Sequence, residues 1–438
     1  MNKKLHLVSL GCTKNLVDSE VMLGRLKEYE ITAEPESADV IIINTCGFID
    51  SAKKESLDTI FELDSIRKKD SLLICSGCLS ERYKEELQSE LPEVDIFTGV
   101  GDYAKIDEMI AKKESRFSDG AFLLENQERV VTGSNLHAYI KLSEGCNQRC
   151  SFCAIPLFKG ELKSRPLEVV INEVESLIQK GFKEFTFISQ DSSSYLRDFG
   201  EKEGLIKLIN EIDKLDVLSA KVLYLYPSTT TKKLIQTILN AKKFENYFDM
   251  PLQHISAAML KVMKRGASQK RHLELLEMMR DDENSFVRTA FIVGHPKESD
   301  EDFEELCLFV KSFGFDRVNV FSYSDEEGTA AYRMKEKIEP KEIKQRTKKL
   351  EKIAQKSNTK ALKNLVGKKL LGVIEGESSE HELLLRARPF RFAPEIDGEV
   401  LVNEIEDDKP LNPKAIYELE ISELLGDKLL AKAKEIDA

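Results

Sequence analysis

The chain has 438 residues, 41% of them hydrophobic and 32% charged, and a formal net charge of −12. That length exceeds one ordinary core, so two or three domains are expected. The acidic balance argues against generic affinity for a nucleic-acid backbone while leaving room for a local basic patch, and no apolar run is long enough to span a bilayer.

The first residues, Met1 to Val8, carry little positive charge ahead of a short apolar run, with no small-residue cleavage site after it. They read as a first strand rather than a signal peptide, and a cytoplasmic protein is expected. Eight cysteines without a secretory signal argue for reduced thiols and metal ligation rather than disulfides.

Residues 1–116 alternate strand and helix. Leu5–Leu10 is a short apolar strand, and Asn15–Tyr29 carries Leu16, Val17, Met22, Leu23 and Leu26 at helical spacing. Val40–Ile43 is a β-branched run typical of a buried parallel strand. Asp50–Arg67 is predicted helical, Ser71–Cys75 a third strand and Glu81–Leu91 a further helix, which together make a small open α/β sheet. Cys12, Cys46 and Cys78 each lie just beyond a strand, where ligands of open α/β sheets collect. Taken alone, such cysteines are more often plain core residues. Cys75 sits within its strand and has no evident partner.

Residues 117–133 are charged and weakly periodic and are expected to form a linker. Residues 134–338 then repeat strand and helix. The predicted strands are Tyr139–Leu142, Phe185–Ser189, Ala220–Leu225, Tyr247–Met250, Phe286–Val293 and Arg317–Phe321, with helices between them such as Pro166–Lys180, Ser268–Arg280 and Asp300–Phe313. Six such units in succession predict an open parallel (βα)6 barrel, whose chemistry belongs at the carboxyl ends of the strands. Cys307, on an apolar helical face beside Leu306 and Leu308, is expected to be core. Residues 339–365 read as a lysine-rich connecting helix, more a solvated face than an RNA site. Residues 366–438 alternate short apolar strands with turns: Leu370–Ile374, Glu382–Arg386, Glu399–Val402, Ala415–Ile421 and Lys428–Ala433. They read as a small all-β domain. The whole is an α/β multidomain chain.

The strongest signal is the stretch from Glu144 to Cys153, which spaces Cys146, Cys150 and Cys153 as CxxxCxxC just after a barrel strand. A zinc knuckle would need a fourth Cys or His close by, and only His137 precedes it. Three thiolates without a fourth suggest an iron–sulfur cluster with one iron left open.

This spacing, with Phe152 ahead of the last cysteine, resembles the radical S-adenosylmethionine superfamily. The resemblance implies a 4Fe–4S cluster on Cys146, Cys150 and Cys153, S-adenosyl-L-methionine on its open iron, and Phe152 near the adenine. Gly11 to Asn15, Asn44 to Phe48 and Ser76 to Leu79 resemble the N-terminal motifs of the methylthiotransferases, which implies a second 4Fe–4S cluster on Cys12, Cys46 and Cys78. Further matches lie at the barrel rim. Gln190 and Asp191 are expected to hold cofactor or substrate, and Gln253 stands in a similar rim motif. Arg265 is expected to position a carboxylate, and Ile292 and Gly294 to lie where the backbone approaches the adenine. Each has a plainer reading as a polar turn at a strand end. His254 is either a proton shuttle or structural.

The resemblance covers nearly the whole chain, including a C-terminal domain similar to the TRAM module. Thr13 and Lys14, the run from Pro251 to His254 and the segment from Arg388 to Gly398 look like the branch that adds a methylthio group to the β-carbon of an aspartate in ribosomal protein S-twelve, rather than the tRNA branch. Charge agrees. Residues 366–438 hold roughly ten Lys and Arg against roughly seventeen Asp and Glu, a surface that repels tRNA and attracts a basic ribosomal protein. Lys159, His295 and Lys297 depart from the family pattern and put local pocket details in question.

The resemblance implies that an external one-electron donor such as flavodoxin or ferredoxin reduces the barrel cluster, which cleaves S-adenosyl-L-methionine. The resulting radical takes a hydrogen from the aspartate β-carbon. Sulfur held at the second cluster, either the cluster's own or a sulfide on its open iron, joins that carbon, a sulfide source being a further partner, and a second S-adenosyl-L-methionine supplies the methyl group. The rival readings are a tRNA adenosine methylthiotransferase and, more distantly, a non-enzymatic iron–sulfur carrier. A carrier would not need six barrel units or polar groups at the rim.

Overall fold

The computed structural model describes residues 3–125, 127–378, 382–406, 412 and 414–436. The amino-terminal part is a five-stranded parallel sheet in the order β2-β1-β3-β4-β5. Its strands are β1 (Lys4–Ser9), β2 (Glu30–Ile31), β3 (Val40–Thr45), β4 (Leu72–Gly77) and β5 (Ile96–Phe97). The sheet is covered by α1 (Thr13–Arg25), α2 (Asp50–Ile66), α3 (Cys78–Arg82), α4 (Lys84–Glu90) and α5 (Ile106–Lys112). Ile41, Ile42 and Ile43 are buried on both faces of the central strand, which is why that run does not alternate with polar residues. Two expectations shift. The first helix stops at Arg25 rather than Tyr29, because the chain must turn back to pair Glu30 and Ile31 with Lys4 and Leu5. The helix expected over Glu81–Leu91 starts earlier, at Cys78, and is interrupted at Tyr83, where the backbone leaves helical geometry.

The segment read as a linker is a strap packed on α1. Val130 N–H donates to the Glu20 carbonyl oxygen at 3.0 Å, and a side chain at Gly24 would collide with the Glu128 carbonyl oxygen. Arg129 is buried between Glu20 and Glu173, joining the first domain to the barrel.

The central region contains β6 (His137–Lys141), β7 (Ser143–Glu144), α6 (Ile155–Phe158), β8 (Lys163–Ser164), α7 (Leu167–Gln179), β9 (Glu184–Ile188), α8 (Gly204–Ile212), β10 (Ser219–Val222), α9 (Lys232–Asn240) and β11 (Tyr247–Asp249). It continues through α10 (Ala257–Val262), α11 (Gln269–Met279), β12 (Phe286–Val293), α12 (Asp300–Phe313) and β13 (Arg317–Ser322). All six expected barrel strands form. Their ladder runs as two three-stranded parallel sheets, β10-β9-β6 and β11-β12-β13. Between β10 and β11 the ladder thins to a bridge from Ala220 to Phe244 and a hydrogen bond from Leu225 N–H to the Asp249 carbonyl oxygen. The cause is Tyr224, whose φ of +63° ends the extended run that the sequence pattern carries to Leu225.

After α13 (Pro340–Lys363), the last part is a closed barrel of β14 (Lys369–Glu377), β15 (Leu385–Pro389), β16 (Val400–Ile405), β17 (Ile416–Leu425) and β18 (Lys428–Ile436). β15 begins three residues later than its pattern predicts, and the residues just before Glu382 lie outside the described chain. The loop between β15 and β16 fills the open flank of the central barrel. Tyr139 Oη donates to the Pro394 carbonyl oxygen and Tyr247 Oη to Asp397, each at 2.7 Å. Arg388 makes a two-pronged pair with buried Glu184, at 2.8 and 2.7 Å. Among the described residues no helix is long and apolar enough to cross a membrane.

Candidate functional site

The CxxxCxxC loop hangs from a neck made by β7 and β8, which pair antiparallel. Gly145 has φ +73°, and a Cβ there would lie 2.1 Å from the Glu161 carbonyl oxygen, so only glycine lets the loop leave the neck. The loop is tied down at several points. Gln148 Nε2 donates to Asp191 at 2.7 Å. Ser151 N–H donates to the Met263 carbonyl oxygen, and Ala331 N–H to that of Ser151. Ser151 Oγ lies 2.9 Å from His295 Nε2. Cys150 Sγ receives Arg265 Nη1 at 3.1 Å and sits 3.5 Å from Tyr226 Oη. Burial pushes the Cys146 thiol up to about 12 and raises Cys153 further. As free thiols both stay neutral, and a soft metal centre that displaces the proton stabilises the thiolate.

Cys12, Cys46 and Cys78 follow β1, β3 and β4 directly, so the parallel register brings them to one edge. They are close enough to perturb one another: after burial, Cys12 is the next contributor raising Cys46, and both raise Cys78. Glycines make the room. A Cβ at Gly11 would meet Cys46 Sγ at 2.7 Å, and one at Gly47 would meet Leu79 Cα at the same distance. Cys75 points into the core of the sheet, and Cys307 is likewise core.

The two triads lie on elements that pack together. Cys78 opens α3, which packs against α6, and α6 starts two residues after Cys153. Between them lies a buried ion network. Lys141 pairs with Asp18 and with Glu144, the latter at 2.6 Å, while Lys159 lies 3.4 Å from Glu144 and 3.6 Å from Asp18. Burial alone would raise the Glu144 carboxyl, but Lys141 and Lys159 outweigh it and hold it at about 2. Burial wins at Asp18, which is raised.

Among the described residues no three His, Cys, Asp or Glu side chains are grouped closely enough to chelate a single ion. A multi-iron group gives each thiolate its own iron and suits wider triads, and the donors are soft sulfurs. The expected cofactor residues divide. The Gln190 and Gln253 Oε1 atoms and Arg265 Nε are buried without a hydrogen-bond partner, as open positions for a polar ligand require. Gln253 is held there by φ +71° and by Ile292, whose N–H donates to its carbonyl oxygen. Phe152 sets its ring edge-on to His295, with centroids 6.3 Å apart.

Asp191 is not a free carboxylate. It receives Gln148 along with Ser193, Ser194 and Thr229, and it organises the cysteine loop. Gly294 has a packing role. Its Cβ direction points at Ile343 of α13, 2.6 Å away, so the glycine admits that helix. His254 is fully buried and accepts Ser256 N–H, a structural placement, and burial pushes it down to about 4. Of the three departures, Lys159 belongs to the ion network and His295 holds Ser151, while Lys297 pairs with Glu336 at 3.3 Å at the surface.

Sequence reasoning passed over Asp18, Lys141, Glu144 and Tyr226. A usable signal was present: a lysine closing the apolar strand before the cysteines has to find buried partners.

Residues 4–99 match the model described as Uncharacterized protein family UPF0004, and residues 140–310 that of the Radical SAM superfamily. Several curated relatives are similar over nearly their whole length, and all three cited here are named ribosomal protein uS12 methylthiotransferase RimO. That of Nitratiruptor sp. is 59% identical over 99% of this chain and 100% of its own. That of Wolinella succinogenes is 60% identical over 98% of both chains, and that of Campylobacter jejuni strain RM1221 58% over 99% of both. Among solved structures, the radical S-adenosylmethionine methyltransferase TsrM from Kitasatospora setae is similar in fold. It has a TM-score of 0.53 and 14% identity, over 74% of this chain and 75% of that one.

Proposed function

Because this chain belongs to the ribosomal protein uS12 methylthiotransferase RimO family, we propose that it transfers a methylthio group to the β-carbon of an aspartate of uS12 in the cytoplasm. The single observation that carries the reading is two cysteine triads on elements that pack together, α3 and α6, with one buried ion network joining their domains. Cys146, Cys150 and Cys153 would hold one 4Fe–4S cluster, and Cys12, Cys46 and Cys78 a second.

When bound, the clusters and S-adenosyl-L-methionine supply the one-electron and methyl-transfer chemistry, with an external electron donor and a sulfide source replenishing what turnover consumes. The chain's own residues do the rest. Arg265 and Tyr226 set the environment of Cys150, and Asp191 fixes the loop through Gln148. Gln190 and Gln253 offer acceptors to the cofactor's amino group, and Phe152 offers a ring to its adenine. The Lys141, Glu144, Lys159 and Asp18 network keeps water from the gap and locks the first domain on the barrel rim.

Anaerobic turnover with uS12 should yield 5′-deoxyadenosine, S-adenosylhomocysteine and uS12 heavier by one methylthio group. Each triad should carry about half of about eight irons per chain, lost separately in Cys146→Ala and Cys12→Ala. Modification of tRNA with uS12 left unaltered would reject the substrate, and absence of 5′-deoxyadenosine would reject the reaction.

A further inference from the structure

Five charged side chains from both domains meet between the triads, and four of them settle their charges among themselves. Asp18 and Glu144 are the anions, Lys141 and Lys159 the cations, all joined within 4 Å. Lys14 is the fifth. Among the described residues it is in no ion pair, although Tyr224, Cys12 and Glu144 are its neighbours. Glu144 is already held by Lys141, Lys159 and Gln190. The Lys14 ammonium instead crosses from α1 onto the barrel and rests 3.6 Å from the ring centroid of Tyr224.

Taking a cation out of water without an anion is unfavourable, and a ring face compensates only partly. Such a group is poised for an incoming anion. Its position narrows what that anion is. Lys14 is two residues from Cys12, and Tyr224 stands just past the carboxyl end of β10, on the barrel rim. An anion bound there lies on the seam between the two triads. Methylthiolation at a β-carbon needs that carbon presented to both triads, and in aspartate the neighbouring atom is the carboxylate carbon.

We infer that Lys14 is the specificity-determining residue that receives the carboxylate of the target aspartate, an inference that rests on the uS12 reading above. Tyr224 is a positioning residue that aims the ammonium across the seam. Asparagine in place of the aspartate offers no charge and leaves Lys14 uncompensated.

The test is anaerobic binding of labelled uS12, with either aspartate or asparagine at the target position, to the protein with both clusters loaded. The wild type should prefer aspartate by at least about tenfold, Lys14→Arg should keep most of that preference, and Lys14→Met should reduce it to within about twofold. Iron per chain should be the same in all three. A wild-type preference that persists in Lys14→Met overturns the assignment, and if that variant also loses iron, Lys14 serves the Cys12 triad instead. Equal loss of preference in Lys14→Arg and Lys14→Met overturns it too, since charge would then not be what matters. A wild type that binds both forms equally overturns Lys14 alone. A wild type that binds neither overturns the uS12 reading, and the assignment with it.

Discussion

Arg265 is bonded to Cys150. Its Nη1 donates to the sulfur at 3.1 Å, its Nη2 to the Pro251 carbonyl oxygen at 2.6 Å, and its guanidinium carbon lies 4.2 Å from the centroid of the Tyr226 ring. The sequence pattern predicts that this arginine positions a carboxylate. The structure gives it a sulfur instead, with Nε left for a further ligand.

A cation donating to a cluster sulfur favours the more negative, reduced state. Arg265→Met should therefore keep its iron while the midpoint potential of the barrel cluster falls. A shift on the order of 60 mV is expected, tenfold for a one-electron couple. Redox titration followed by electron paramagnetic resonance checks this, and an unchanged or raised potential would contradict it.

Gly294→Ala should destabilise the protein by about 1–3 kcal/mol, because the new methyl meets Ile343 and the φ of +85° strains any side chain. Combining it with Ile343→Ala should cost less than the sum of the two by about 0.5–3 kcal/mol. Affinity for S-adenosyl-L-methionine should stay within about twofold in the single variant. Strict additivity in denaturant titrations, or a large loss of affinity, would return the glycine to the cofactor pocket.

Glu184 is buried at the junction of barrel and C-terminal domain with two cations, Arg388 and Lys221. Burial alone would raise its carboxyl, but Arg388 and then Lys221 overcome that and hold it far below the usual range. Arg388→Met leaves one cation where there were two and should cost about 3–5 kcal/mol. Replacing Glu184 by Gln strands Lys221 and leaves Arg388 with Glu375 alone, and should cost a similar amount. Thermal unfolding of the apoprotein measures both.

Acid sensitivity should begin well above the carboxylate range. Burial pushes His137 down to about 3, so it is neutral in the folded chain at every ordinary pH. Unfolded, it takes a proton below about 6.5. The unfolded state then binds more protons, so stability present above about pH 6.5 is lost as pH falls towards 3. Between about pH 7.5 and 5.5 this one group should cost about 1.4 kcal/mol, a loss that His137→Gln removes. Urea titrations of apoprotein at the two pH values decide it; an equal pH slope in wild type and variant would count against the assignment.

Much of the fold is readable from residue order. The β-branched run at Val40–Ile43 announces a buried parallel strand, because both of its faces are covered and no polar alternation interrupts it, and the six barrel runs are readable from their regular recurrence between helical stretches. The strap at 117–133 is not readable, since its burial depends on one arginine, Arg129, finding two glutamates far away in sequence. Strands as short as Glu30–Ile31 and Ile96–Phe97 are fixed by a neighbouring edge rather than by their own composition.

The site shows the same division. The six cysteines are legible because spacing and strand ends carry the information. The packing role of Gly294 is hidden because a glycine at a strand end looks the same whether a ligand or a helix approaches it; only the position of Ile343 reveals the helix. The setting of Asp191 is hidden for a related reason. Its four donors come from three separate segments, and no local pattern reveals that they use up the carboxylate.

Pro394 and Asp397, which close the flank of the central barrel, are synthesised roughly seventy residues after its last strand ends at Ser322. At about 5–20 residues per second, the nascent barrel stands open on that side for several seconds after its final strand is made. Tyr139 and Tyr247 face water throughout that interval. A message truncated near residue 365 would therefore yield a barrel with a missing wall rather than a shorter enzyme.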